Sequence, residues 1–441
     1  MAEASYDVIV LGAGLGGLAA GLTLLRSGAS VLMVESRSRV GGRCQTIRAQ
    51  ECLLPVGTVV IPCGDFLEGL FADFQVPFDV VPIPTRGVYE IGGQRIPVPD
   101  RGALRTLASA ALPCSPDVVN GLLSAVRRAL AWAEPSASIS MRDWLSQFVT
   151  EPALLSAFQA MSGAYLAANS YEVSARAFIR YLRGAAGRAA IGIPANGWGA
   201  LVEPLGGRFQ ELGGELWATC PVGSIRVDRG RVTGAVVRRK GEDVEVRAPV
   251  VVSDLGPQLT VRKVASDAWD LGYADDVAAI PTAPGVALFF SHDQELIDGG
   301  GPLLPASAHR ACFAITPTML APGLGDGRSH WTEVLVTLQD SRIQTAAAAR
   351  AAAEVAVREV HELFPALQGR SPFKRLAYRG DWPIYRTWPG WEMPYRTPIE
   401  NLFLVGDAVR QSDQNGTSAA AQSGVLVAGQ VLERLGSRQS G

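Results

Sequence analysis

The chain has 441 residues, 48% of them hydrophobic and 19% charged, and its 40 Lys and Arg against 42 Asp and Glu give a formal net charge of −2. That length exceeds one simple core and calls for two domains or a domain with large insertions, and the composition excludes a disordered chain. The near balance of charge gives no reason to expect nucleic acid or an anionic membrane surface as partner, while six cysteines without a C-x-x-C pair and only four histidines argue against a zinc site, any other metal site or a disulfide framework and suit a reducing, cytoplasmic compartment.

The first elements come almost at once, in DVIVLGAGLGGLAAGLTLLRSGASVLMVE, residues 7–35. Val8 to Leu11 is a short apolar run of the kind buried on both faces of a parallel sheet. Gly12, Gly14 and Gly17 fit G-x-G-x-x-G, with Ala13 and Leu15 in the same loop. The first glycine allows the tight turn, the second lets a pyrophosphate approach the backbone, and the third lets the following helix pack on its strand. That helix, starting near Gly14, aims its free N–H groups and positive dipole end at the pyrophosphate. Val31 to Val34 makes a second strand, and Glu35, followed by Ser36, stands at its carboxyl end at the spacing of a ribose-binding acid. A carboxylate there accepts from ribose hydroxyls and repels a 2′-phosphate, so NADP is disfavoured. Residues 8–25 lack the basic start of a signal peptide, and no other stretch of eighteen uncharged apolar residues predicts a spanning helix.

Next, SRSRVGGRCQT supplies Gly41 and Gly42, where a ligand can approach the backbone, and the fixed cation of Arg43 beside them. Residues 96–195 read as helices broken by Pro113, Pro116 and Pro135. Residues 196–257 read as a helix from Gly199 to Leu212, then short strands with turns at Asp228-Arg229-Gly230 and Lys240-Gly241, then VVVSD. LGGRFQELGG lies in that helix and follows no strand, so it is rejected as an NAD site. Further on come strand-like GVALFFSH and HWTEVLVTLQ and an alanine-rich helix from Thr345 to about Leu363. Trp382, Tyr385, Trp388 and Trp391 form the densest aromatic cluster; they line a pocket or, as expected for most of them, pack an irregular proline-rich connection. NLFLVGDA ends on Gly406-Asp407, and NGTSAAAQSG, carrying Thr417 and Ser418, opens a last helix running to about Leu435.

Together these segments resemble the phytoene desaturase and flavin amine oxidase superfamily. The glycine loop, Glu35, the Gly-Gly-Arg segment and the Gly-Asp strand carry the resemblance, and the desaturase side fits somewhat better. LPVGTVVIPCGDFLEGLFADF, residues 54–74, resembles the segment that passes the flavin there, which places Gly57 and Thr58 beside the ring. PTMLAPGLGDG resembles a desaturase stretch as well. The resemblance implies an α/β fold: a glutathione-reductase-type, Rossmann-like FAD-binding domain of residues 1–95, 196–260 and 396–441. An α+β substrate domain with a helical cap would comprise residues 96–195 and 261–395. It implies that Asp407 binds the ribityl chain, that the helix after it points its N-terminus at the flavin, and that Val222 touches the adenine through its backbone. No cysteine follows Cys312, so FAD would be held non-covalently rather than through a late cysteine.

With no second nucleotide domain, the expected chemistry is loss of hydride from a substrate C–H bond to flavin N5. Three readings of the substrate stand. The first is desaturation of an apolar isoprenoid or natural product, with a peripheral membrane-contacting face. The second is oxidation of an amine or amide with oxygen, and the third is isomerisation of the carotenoid isomerase type. Alkene formation requires a base for the second proton; His330 and Asp413 are the titratable candidates, each with an ordinary structural role available to it.

Overall fold

The computed structural model describes residues 5–111, 115–186, 190–409 and 416–439. Two sheets organise it. The first has five parallel strands in the order Glu215–Trp217, Val31–Val34, Val8–Leu11, Val250–Ser253, Leu402–Leu404. The expected bounds of the two opening strands are reproduced. Every residue of Val8–Leu11 is buried, because helices cover one face and an antiparallel meander and short helices cover the other. The helix Leu15–Arg26 lies against the long last helix, Gly416–Gln439. Gly17 makes the strand-to-helix turn possible, since a Cβ there would stand 2.2 Å from the Gly12 carbonyl oxygen.

The connection from Glu215–Trp217 to Val250–Ser253 is the expected meander. Val222–Asp228, Arg231–Arg239 and Glu242–Arg247 pair antiparallel, with Arg229 and Lys240 left-handed at the turns. The helix preceding it spans Gly197–Glu211, two residues earlier at its start than the pattern predicts, because Gly197, at φ +82°, makes the turn into it.

The second sheet has seven strands, in the order Lys374–Tyr378, Gly285–His292, His330–Val336, Ala311–Ile315, Leu303–Pro305, Val88–Ile91, Gln94–Pro97. The last two, Val88–Ile91 and Gln94–Pro97, reach this sheet from the first ninety-seven residues of the chain. One face packs on the helix Ala346–Leu363, which Thr345 caps by accepting from the Ala348 N–H at 3.1 Å. That helix contributes a buried carboxylate as well: Glu359 accepts from the backbone N–H groups of His309, Arg310 and Ala311. The other face packs on Leu54, Val59, Ile83 and Ile193. Helices Ala103–Ala111, Pro116–Ala131, Met141–Leu145, Pro152–Leu166 and Ala175–Ala186 form the cap with their own core. Pro116 opens its helix at a position where a missing N–H costs nothing. No described helix is long and apolar enough to cross a membrane.

Candidate active site

A single cleft of about 420 Å³ runs from Glu35, past the carboxyl ends of the parallel strands, to the inner face of the seven-stranded sheet. Its position beyond the strand ends, where the strand order reverses, is where doubly wound sheets bind nucleotides.

At one end Glu35 is 6% exposed and closely coordinated. Its Oε2 accepts from the Ala13 N–H at 2.9 Å, and its Oε1 accepts from the Arg37 N–H at 2.8 Å and the Ser36 hydroxyl at 3.0 Å. The carboxylate thus ties the end of the second strand to the glycine loop. Gly12, Gly14, Leu15 and Ser36 line the cleft beside it. Ala13 contributes through its N–H to Glu35, and Gly17 acts below the surface, in helix packing. Gly42, at φ +58°, folds back so closely that a Cβ would lie 3.3 Å from the Gly14 Cα, bringing the two glycine segments together. Helix N-terminus, bare backbone and buried acid suit the ADP half of FAD.

Farther along, the chain's two ends meet. Arg43 Nη2 pairs with Asp407 Oδ1 at 2.5 Å, and Asp407 Oδ2 accepts from the Arg386 N–H at 3.0 Å. Both partners of the ion pair are largely covered, with side chains 20% and 6% exposed. Gly406 and Thr417, at the start of the last helix, line the same stretch, as do Gly57 and Thr58. Gly57 has to be a glycine: a Cβ would press to 2.7 Å of the Arg43 carbonyl oxygen. Ser418 turns away from the cleft; its hydroxyl donates to Asp65, the residue that caps the helix Phe66–Asp73. Val222 likewise sits in the core outside the cleft wall, although the chain just before it is tied to the ribose end by the Cys220 N–H bond to the Glu35 carbonyl.

Beyond Asp407 the cleft widens into a chamber. Tyr165 and Tyr181 come from the cap helices, Phe313, Leu335 and Tyr378 from the sheet, and Ile191 from a strand between them. The two tyrosines stack at 5.2 Å. Of the aromatic cluster, Trp382 and Tyr385 line the cleft, with the Arg37 guanidinium 3.8 Å over the Trp382 ring. Trp388 is buried and Trp391 exposed; their rings meet edge-on at 6.3 Å, and both line a second pocket, outside this cleft, with Arg262 and Thr282.

The chamber's carboxyl is Glu333, 3% exposed, on the strand His330–Val336. Opposite Phe289 on one neighbouring strand and Ile315 on the other, it shares its face with Leu335 and points away from the helix-covered side. Its Oε2 and the Tyr378 hydroxyl have no hydrogen-bond partner among the described residues. Burial pushes the Glu333 carboxyl up to about 8, and burial with the nearby Glu333 charge raises the Tyr378 phenol well above its ordinary value. Asp254, under the glycine loop, is pushed up to about 7 by burial, against the opposing effect of the Gly17 N–H.

His330 does not join the site. Strand alternation turns it to the opposite side from Glu333, where Nδ1 lies 3.3 Å from the Thr318 hydroxyl and the ring 6.0 Å from that of His292. Asp413 lies outside the described residues.

A doubly wound nucleotide cleft opening into an apolar chamber under a second sheet defines a dinucleotide-dependent enzyme. The family of flavin containing amine oxidoreductases matches residues 15–432, and the chain belongs to it as an FAD-dependent oxidoreductase. Among its relatives, 15-cis-phytoene desaturase of Capsicum annuum is 21% identical over 97% of this chain and 78% of its own length. Flavin-containing amine oxidase B of Sus scrofa is 24% identical over 65% of this chain and 52% of its own. An oxidoreductase from Methanosarcina mazei has the same fold, with a TM-score of 0.83 at 20% identity over 95% of this chain and 99% of that one.

Proposed function

We propose that the protein dehydrogenates a small molecule with a largely apolar body, bound in the chamber between the cap helices and the seven-stranded sheet. The supporting observation is the continuity of the cleft, which joins the nucleotide end to walls of Leu335, Phe313, Ile191 and the stacked tyrosines with no barrier between. Bound FAD would supply the hydride acceptor. Glu35, the glycine loop, Arg43 and Asp407 would hold it, and Thr417 at the helix start would bring positive dipole to the ring.

The chain's own contribution is position and exclusion of water. Aromatic and aliphatic walls would hold a bound hydrocarbon body out of water and turn the carbon to be oxidised toward the Arg43–Asp407 end. Desaturation and amine oxidation share this step and differ in what stands beside that carbon. Glu333, once ionised, would take the second proton of an alkene-forming reaction.

Anaerobic mixing of the flavin-loaded protein with apolar amines, acylated amines and detergent-dispersed polyenes tests the reading. Loss of the oxidised flavin band with at least one class is the expected result. A band unchanged by all three classes contradicts it.

A further inference from the structure

A second cavity, of about 390 Å³, shares Leu259, Asp381 and Arg386 with the cleft and otherwise has walls of its own. Arg262 comes to it from the helix Pro257–Lys263, Thr282 from the chain after the helix Leu271–Ala279, and Arg342 from the loop before the helix Ala346–Leu363. Trp388 and Trp391 complete it. The Trp388 Nε1–H donates to the Thr282 carbonyl at 2.9 Å, which fixes that ring, and Trp391 meets it edge-on. Trp391 is 46% exposed, so a flat apolar face is left in water at the cavity.

The polar lining is positive. Arg262, Arg342 and Arg386 stand against one carboxylate, Asp381, and Arg262 pairs with it. Acids close by are already engaged: Asp340 accepts from the Arg342 backbone N–H at 2.9 Å, and Glu172 accepts from the Ser341 N–H and hydroxyl at 2.8 Å. Neither Arg342 nor Arg386 forms an ion pair among the described residues. The Arg342 guanidinium stands 5.9 Å from the Trp388 ring, and the Arg386 Nη1 donates to the Asp381 carbonyl at 3.0 Å. The chain makes room for Arg386: at Gly256, φ +88°, a Cβ would lie 2.9 Å from its Cδ. Burial and, next, the charge of Arg43 lower Arg386 to about 10, and Asp407 is taken by Arg43. A covered guanidinium without a carboxylate of its own favours an anion from outside.

We propose that this cavity is a second ligand site, separate from the flavin and substrate cleft, and that it takes a small organic oxyanion: a carboxylate or phosphate carried on a flat apolar ring. The ring lies on Trp391 and the edge of Trp388, and the oxyanion lies between Arg342 and Arg386. Guanidinium forks match both oxyanions with paired, charge-assisted hydrogen bonds. Arg262, already paired with Asp381, adds charge at the rim without a new bond. The site is one residue from the flavin end, because the Arg386 backbone N–H donates to Asp407 Oδ2 at 3.0 Å.

The test is calorimetric titration of the flavin-loaded protein with 2-naphthoate, 2-naphthyl phosphate, neutral 2-naphthamide and inorganic phosphate. At least one naphthyl anion should bind tenfold or more tighter than both naphthamide and inorganic phosphate, and the tighter of the two names the oxyanion. Arg342→Gln should cut the preference for the anion over naphthamide at least fivefold. Trp391→Leu should weaken anion and amide alike, at least threefold. Both side chains are exposed, so flavin content and melting temperature should match the native protein; should Arg342→Gln lose flavin, Trp391→Leu decides. Equal binding of naphthyl anions and naphthamide would overturn the proposal. So would an anion preference that both variants leave intact, which would put the anion in the cleft, and so would inorganic phosphate binding as tightly as the naphthyl anions. Flavin bleaching plays no part in these readouts, so the dehydrogenase reading stands or falls separately.

Discussion

Two buried glutamates mark the two ends of one cleft, and their surroundings differ. Glu35 is surrounded by donors from the backbone that precedes and follows it, so its charge is part of the fold. Glu333, of similar burial, faces an enclosure with Oε2 unpartnered, and its proton is held up to about 8. A saturated carboxylate builds a site, and an unsaturated one is kept for a ligand.

The largest expected effect comes from a third acid, Asp407. Asp407→Ala leaves Arg43, largely covered, without its counter-charge and with the Ile384 carbonyl as its partner, a change that costs about 3 kcal/mol. Denaturant unfolding should record that loss together with a sharp fall in retained flavin, and an unchanged midpoint would mean that the ion pair contributes nothing. Glu35→Ala comes next. It leaves the Ala13 and Arg37 N–H groups without their acceptor, at about 2 kcal/mol, and would remove the proposed ribose contact. Flavin content after gel filtration should drop at least tenfold at limiting FAD; full yellow protein would break the assignment of this end.

Glu333→Gln should act in the other direction. Its folded value of about 8 stands above the ordinary 4.5, so between those pH values the folded state holds a proton that the unfolded state has lost. Stability contributed by this group is therefore full below about pH 4.5 and declines as pH rises to about 8, where the carboxyl ionises in both states. The glutamine variant should lose that part of the slope and exceed the native protein at pH 8 by at least about 1 kcal/mol. Asp254 titrates in an overlapping window, so the difference between variant and native melting curves is the quantity to read. A variant curve parallel to the native one would show Glu333 already partnered. The smallest effect sharpens the contrast: Glu400, in an exposed pair with Arg231, should give less than about 0.5 kcal/mol on change to Gln.

The same comparison explains what could be read from sequence. The Glu35 end is local: strand, glycines, helix and acid lie within thirty residues, and each glycine has a backbone reason visible in its spacing. Arg43 and Asp407 were legible as motifs, though nothing in their neighbourhoods says that they pair across the chain. The chamber is written in strand parity. HWTEVLVTLQ carries apolar residues on both faces because the helix Ala346–Leu363 covers one and the chamber the other. Alternation alone therefore does not tell which of His330 and Glu333 faces a ligand, and the titratable histidine is the more conspicuous choice. The acid in VVVSD, Asp254, was likewise visible only as the end of a strand. Val222 and Ser418 lie near the cofactor segments in sequence but behind the wall in space, where packing and helix capping use them.

The most direct test of the central claim, that nucleotide end and chamber form one continuous site, is a crystal structure of the flavin-loaded protein. The ADP ribose hydroxyls should lie on Glu35 and the flavin ring past Arg43 and Asp407, with its open face toward the chamber that contains Glu333. A flavin ring turned away from that chamber, with protein filling the space between, would contradict it.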